Sequence, residues 1–387
     1  MTTVLVSGAI ANKCFSGGSI WTRLSYLLGL KKLGHQVCFV EKIHEESCVD
    51  ATGASVRFEQ SVNRTRFQEV SEAYGLLGSA ALICEPGGPV FGMTPEELDR
   101  RIDQAVVLID ISGHLGLHGR ANAIPCKVFV DQDPGFTQFW HASGYEGGRL
   151  EGYDHYFTVG QNIGSDVCPI PPGGIRWRPT RQPLLLEYWP SSSVKRLDRF
   201  TTVASWRGTY GRVEFQGRTH GLKVHEFRKV LELPRRCPQR FEIALDIHAG
   251  DEPDRQALAN NGWQLVDPKE LTGSPECFRR YVQNSGAEFS VAQGVYVETN
   301  SGWFSDRTTR YLASGKPALV QETGFSENLP VGEGLLSFRT LEEAVSGAQA
   351  IAGDYEKHSR AARLIAEEFF DSDKVLGKML EEIGVAP

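Results

Sequence analysis

Two stretches of this chain repeat one alternation, a short apolar run, a turn and an amphipathic segment, on either side of Pro169–Pro183 (PIPPGGIRWRPTRQP). Proline lacks a backbone donor and has a fixed φ, so this segment can sustain neither a helix nor a central strand. It predicts a linker, with a domain boundary between 170 and 198. A chain of 387 residues also exceeds one ordinary core. Two units of similar size are expected, residues 1–180 and 181–387.

The first alternation opens with Thr3–Ile10 (TVLVSGAI), a glycine-containing loop and a helix with Ile20, Leu24, Leu27 and Leu28 on one face. Gly34 ends that helix and Gln36–Glu41 (QVCFVE) is the next strand, giving the β-loop-α-β start of a parallel sheet. Further strands are expected at 80–84, 105–111, 127–130 and 155–159, and helices at 67–77 and 95–104. After the linker, strands are expected at 200–205, 241–246, 263–266, 289–292, 318–321 and 334–338. Helices fit at 225–233, 254–260, 276–284, 306–314 and 340–351, the last opened by a Thr340/Glu343 capping box. One amphipathic helix, about 355–383, closes the chain. The fold class is α/β, with two doubly wound, Rossmann-like domains facing each other across a cleft.

The formal charge of −7 and the scatter of arginine and lysine leave no electrostatic footprint for nucleic acid, which is not expected as a partner. The eight cysteines form no C-x-x-C pair and no cysteine–histidine zinc spacing, and read as small buried hydrophobes in a reducing cytoplasm. The N-terminus (MTTVLVSGAI) lacks a positive n-region, and no apolar run is long enough to span a bilayer. A cytoplasmic protein with no transmembrane segment is expected, using no metal and no cofactor.

Ser301–Gly324 (SGWFSDRTTRYLASGKPALVQETG) reads as a loop, a capped helix, a small-residue turn and a buried strand. Ser305 or Asp306, the latter favoured, can cap a helix starting Arg307-Thr308-Thr309, whose free N–H groups suit a diphosphate. The dipole contributes only about 0.3–1 kcal/mol per charge, up to roughly 2 when partly buried, so a fixed cation is needed. Arg207, in Ser205–Arg212 (SWRGTYGR), follows a strand at the ligand-binding end of the second sheet, and Lys223 and Arg307 are further candidates. Trp206, Trp303 and Phe304 offer platforms for a base or sugar. Gly17 and Gly18 read either as backbone approaching donor or acceptor, or as a tight turn. Asp110, Asp131 and Asp133 follow apolar strands of the first half. Asp131 is the expected acceptor-side base, and Asp133 is explained by an Asp-Pro-Gly turn. His114, His118 and His141 are weaker signals.

Gly17–Val37 (GGSIWTRLSYLLGLKKLGHQV) and Ser301–Gly324, followed by GFSENL and GEGLL, resemble the GT-B glycosyltransferase superfamily. The WFSDR and YLASGKP words are also similar to those of bacterial proteins described simply as glycosyltransferases. The resemblance implies an acceptor-side first domain, a second domain holding a nucleoside diphosphate-sugar donor, and metal-independent transfer of the sugar to an unknown acceptor hydroxyl. Aligning Ala313-x-Gly315-x-Pro317 with the superfamily's Ala-x-Gly-x-Pro puts Gly302 and Arg310 where the retaining branch carries two glutamates, so the usual ribose carboxylate is missing. Its absence favours inversion over retention. Glu327, at a position often acidic in the superfamily, or Glu322 can take over hydroxyl contacts. A nucleotide-sugar epimerase of the same architecture and an inactive nucleotide-sugar-binding protein remain alternatives.

Overall fold

The computed structural model describes residues 2–117, 119–145, 150–191, 197–208 and 210–386. In the first half, β1 (Thr3–Ser7), β2 (Gln36–His44), β3 (Ala80–Glu85), β4 (Val90–Phe91), β5 (Val107–Ile111), β6 (Cys126–Asp131), β7 (His155–Thr158) and β8 (Trp177–Pro179) form one sheet. Its order is β4-β3-β2-β1-β5-β6-β7-β8, parallel except for the β3–β4 edge pair. The inner strands are apolar throughout because both faces are covered. Val4 and Val6 point into one core, while Leu5 points into another beside Leu108.

A hairpin, β10 (Val213–Phe215) and β11 (Arg218–His220), follows β9 (Arg199–Ser205). The second sheet joins β9 to β12 (Arg240–Asp246), β13 (Trp263–Val266), β14 (Ala287–Ser290), β15 (Ala318–Gln321) and β16 (Leu335–Phe338). It is fully parallel, in the order β13-β12-β9-β14-β15-β16. The chain order reverses between β9 and β14, the kind of switch point beside which α/β sheets bind ligands.

Local chemistry explains most boundaries. The Gly17–Lys32 helix stops where Gly34 takes φ +88°, letting the His35 N–H donate to the Leu30 carbonyl at 3.1 Å. The hairpin turns through Gln216 and Gly217, both at positive φ, a geometry that matches strand twist. No strand is expected from the sequence over 213–220, and the single helix expected at 225–233 is instead Lys223–Lys229 followed by Leu233–Arg236. Inside the proline-rich segment, Trp177–Pro179 pairs as edge strand β8, a place where proline is tolerated.

The tail is two helices, Tyr355–Phe369 and Ser372–Glu382, because Asp371 caps the second by accepting from the Asp373 N–H at 3.0 Å. That second helix crosses back onto the first half: a Cβ at Gly29 would lie 2.5 Å from Leu376 Cδ1. Among the described residues, no helix is long and apolar enough to cross a membrane.

Candidate functional site

Both halves contribute to a cavity of about 450 Å³ at the carboxyl ends of β9 and β12. Phe15, Ser16, Gly18 and Ser19 of the first half face Ser205, Lys223, Asp246, Pro268, Lys269, Asp306 and Arg307 of the second. The volume suits a small-molecule ligand. Lys223 opens the helix after the hairpin, its backbone N–H held by Gln293 Oε1 at 2.7 Å. Its ammonium makes no hydrogen bond or salt bridge among the described residues. Burial and the neighbouring Arg307 charge bring its pKa down to about 7, with Glu288 and Asp306 opposing. Lys223 is therefore a cation that an anionic ligand would satisfy.

The Asp306–Ala313 helix enters this cavity less directly than its sequence suggests. Ser305 is the cap, accepting from the Arg307 N–H at 3.2 Å, not Asp306. Ser305, Thr308 and Thr309 are buried, and the Thr309 hydroxyl donates to the Asp306 carbonyl, so these side chains shape the helix start without facing a ligand. Arg307 lines the cavity, but its donors are committed to Glu288, the Val203 carbonyl at 2.8 Å and Ser290 Oγ at 2.8 Å. It fastens the helix start to the sheet and supplies charge.

Arg310 answers for the missing carboxylate by pointing elsewhere. It is 1% exposed, donates to Asp306 Oδ2 at 2.6 Å and lies beside the Trp189 and Phe278 rings. Asp306 also accepts from Thr22 Oγ1 of the first half at 2.8 Å. Burial raises the Asp306 carboxyl, but Arg310, Thr22 and Arg307 outweigh it and hold the group below its usual range. The pair joins the halves. Arg310→Leu should therefore cost about 2–4 kcal/mol of stability in a denaturant titration. It should leave donor affinity within about threefold. A large affinity loss at unchanged stability would make Arg310 a ligand contact instead.

Asp131 is not positioned as a base. It is fully buried at the end of β6, where its carboxylate accepts from Thr137 Oγ1 (2.6 Å), Thr158 Oγ1 (2.7 Å), Gln138 Nε2 (2.9 Å) and the Asp133 N–H (3.0 Å). Those bonds use its acceptor sites to pin the following turn. Asp110 is similar, buried and taken by Tyr153 and the Leu115 and Gly116 N–H groups.

Asp133 is partly buried, as is Gln132, and lies off the wall of the shared cavity; it accepts from Tyr296 Oη at 3.2 Å. Lys13 and Arg23 of the first half and Tyr210 of the second also act on it. Burial first, and then the Asp131 charge, raise Asp133 to about 6 against the pull of Tyr296, Arg23 and Lys13. Arg23 is 8% exposed, and its Nε has no partner.

The remaining expected residues fall outside the cavity or against its frame. Arg207 forks onto Asp251, with Nε 2.9 Å from Oδ2, and is not on the cavity wall. Glu327 is exposed at the end of a short 3-10 turn, also off that wall. Glu322 is buried and accepts from the Gly324 N–H at 2.7 Å, holding its own loop. Gly17 is already helical, and its bare Cα accommodates the second half: a Cβ there would sit 2.0 Å from the Ser274 carbonyl oxygen. Gly18 alone of the two borders the cavity.

A second cavity, about 910 Å³, belongs wholly to the first half and is lined by Asn12, Lys42, His44, Glu85, His114, His141 and Tyr145 among others. His118 lies outside the described residues. Glu41, fully buried, shapes its rim by accepting from the Ile10, Ala11 and Asn12 N–H groups, each at 2.8 Å.

Glu41, Lys13, Arg23, Tyr210, Tyr296 and Asp246 were missed from the sequence. Glu41 ends the strand expected at 36–41, although β2 runs on to His44, and Arg23 interrupts the apolar face of Ile20, Leu24 and Leu27. Both signals were present.

No protein-family model and no curated protein sequence matches the chain. Its fold does match solved structures over nearly their whole length. An alpha-glucosyltransferase in complex with UDP-glucose and DNA containing an abasic site aligns at TM-score 0.59 and 10% identity, covering 99% of this chain and 98% of that one. HepE of Anabaena, in complex with UDP, aligns at 0.57 and 10%, with 99% of each chain covered. Sucrose-phosphate synthase of Thermosynechococcus elongatus aligns at 0.53 and 10%, again with 99% of each. The chain has the GT-B fold of two Rossmann-like domains.

Proposed function

We propose that the protein is a glycosyltransferase that moves a sugar from a nucleoside diphosphate donor, a UDP-sugar in the first instance, to an acceptor hydroxyl. The observation that carries this is the cavity shared by both halves, where Lys223, unpaired among the described residues, and the charge of Arg307 await an anion at the ends of parallel strands. The UDP and UDP-glucose held by similar folds supports the donor class.

In this reading residues 1–180 serve the acceptor and the second sheet holds the donor. The acceptor enters from the 910 Å³ cavity, on whose wall Asn12 stands next in sequence to Lys13, whose charge acts on Asp133. The net charge of −7 favours a small or glycan acceptor over nucleic acid, although several similar structures contain DNA. As the acceptor oxygen bonds to the sugar's anomeric carbon, its proton passes to Asp133. The bond from that carbon to the donor phosphate breaks, and its electron pair leaves on the diphosphate. Lys223 and the Arg307-anchored helix start stabilise that charge without requiring a metal.

Product analysis with a panel of nucleotide sugars in EDTA tests the reading. The expected result is free nucleoside diphosphate together with a glycosylated acceptor. A donor present at 100 times its Kd should also add about 2.7 kcal/mol of stability. A new sugar epimer would make the protein an epimerase, and binding without turnover would make it an inactive receptor. Activity lost in EDTA and restored by a divalent cation would overturn metal independence.

A further inference from the structure

Arg310 is turned into the contact between the halves, so the donor reading leaves a ribose without its carboxylate. The rim of the second sheet holds several acids, and nearly all are committed. Glu226 binds Lys229 and Gln321, Glu288 binds Arg307, and Asp306 binds Arg310 and Thr22. Asp251 is forked by Arg207, and Asp254 takes Arg228 and Trp206.

Asp246 differs. It ends β12, exposed on the wall of the shared cavity, and its carboxylate has no hydrogen bond or salt bridge among the described residues. Its backbone is nonetheless fixed, the carbonyl accepting from the Trp206 N–H at 2.8 Å.

Register supplies the second observation. Asp246 pairs with Ser205 of β9, placing the two side by side at about the 4.8 Å spacing of neighbouring strands. Outward from β9, the wall runs from the Lys223 cation past the Ser205 hydroxyl to the Asp246 carboxylate, then to Pro268 after β13. A smaller recess of about 350 Å³ continues beyond it, sharing Asp246, Pro268 and Lys269 and adding the apolar Leu245, Ile247 and Leu265 together with the charged Arg255 and Asp267. Cation, carboxylate and a recess of mixed polar and apolar lining follow the order of diphosphate, ribose and base in a nucleotide. A carboxylate only accepts, and a ribose cis-diol offers it two donors.

We propose that Asp246 is the ribose-binding residue, selecting donors whose nucleoside carries free 2′- and 3′-hydroxyls. This rests on the nucleotide-sugar reading of the shared cavity.

Titration calorimetry on the full chain tests it, using whichever of UDP, ADP and GDP binds best, the matching 2′,3′-dideoxynucleoside diphosphate and inorganic pyrophosphate. Wild type should prefer the ribonucleotide by about tenfold or more, the loss expected for charge-assisted hydrogen bonds partly open to water. Asp246→Ala should bring the two nucleotides within about twofold of each other. Its pyrophosphate affinity should match wild type, which also reports an intact fold. Retained discrimination in Asp246→Ala, or none in wild type, overturns the role of Asp246. If wild type binds none of the three ribonucleotides, the donor reading itself fails.

Discussion

Asp133→Asn lowers turnover at saturating donor and acceptor by about 10²- to 10⁴-fold, the range for loss of a general base. The same substitution stabilises the fold at neutral pH. Burial and Asp131 raise the Asp133 carboxyl to about 6, whereas the unfolded group sits near the ordinary carboxylate value. Between these values the native state holds a proton that the unfolded state has released, so the wild-type group loses stability as pH rises from about 4 through 6. Asparagine has no charge to bury. The variant should be more stable above pH 7 by about 1–2 kcal/mol, discounted because Asp133 is partly exposed, and the gain should vanish near pH 4.

Asp131→Asn is the contrast. An amide cannot accept from Thr137, Thr158, Gln138 and a backbone N–H together, so stability should fall by about 1–3 kcal/mol. Thermal melts across pH and steady-state rates separate the two residues. Near-normal kcat in Asp133→Asn would remove it from the chemistry.

Lys223→Met should lower kcat/KM for the donor by about 10²-fold, on the order of 2–3 kcal/mol for a charge-assisted contact shielded from water. Methionine keeps the length of the side chain and discards the charge. The pH dependence is more diagnostic. Burial and Arg307 bring the free ammonium to about 7, so donor kcat/KM should fall as pH rises above that value. Below about 6, protonation of Asp133 should give the opposite limb. The result is a narrow bell whose alkaline limb Lys223→Met removes. Bound diphosphate raises the lysine pKa, so the alkaline limb of kcat should lie higher than that of kcat/KM. Coincident limbs, or an alkaline limb that survives Lys223→Met, would assign the titration to another group.

Much of the frame was legible because its causes are local or periodic. Val4, Leu5 and Val6 form an apolar run that only a strand covered on both faces can bury. The rule that ligands meet parallel sheets at strand ends led to Arg207, which is held by Asp251, and to the strand end carrying Asp131 and Asp133, while Lys223 entered only as a further cation. Between those two aspartates, two positions apart, the sequence favours Asp131 as the base and gives Asp133 to a turn. The choice belongs to Thr137, Gln138 and Thr158, which surround Asp131, and to Tyr210 and Tyr296 from the other half, which approach Asp133.

The Asp306–Arg310 pair shows a subtler limit. Its four-residue spacing on a helix permits an ion pair, and the structure contains one. The contribution of Thr22, nearly three hundred positions away, turns that local pair into a joint between domains. Gly17 is alike: a glycine before a helix reads as a ligand loop or a turn, and only the Ser274 backbone from the second half explains it.

The sequence by itself determined two doubly wound units and the end of each sheet where chemistry would gather, because apolar periodicity and turn residues act over a few positions. The tertiary structure decided which charges are spent on the frame and which stay open. Arg207, Arg310 and Asp131 are spent, Asp133 is shared with Tyr296, and Lys223 and Asp246 stay open among the described residues. The physical reason is that a side chain's charge state and availability depend on burial and on partners from strands and helices distant in the chain, and no local pattern encodes those distances.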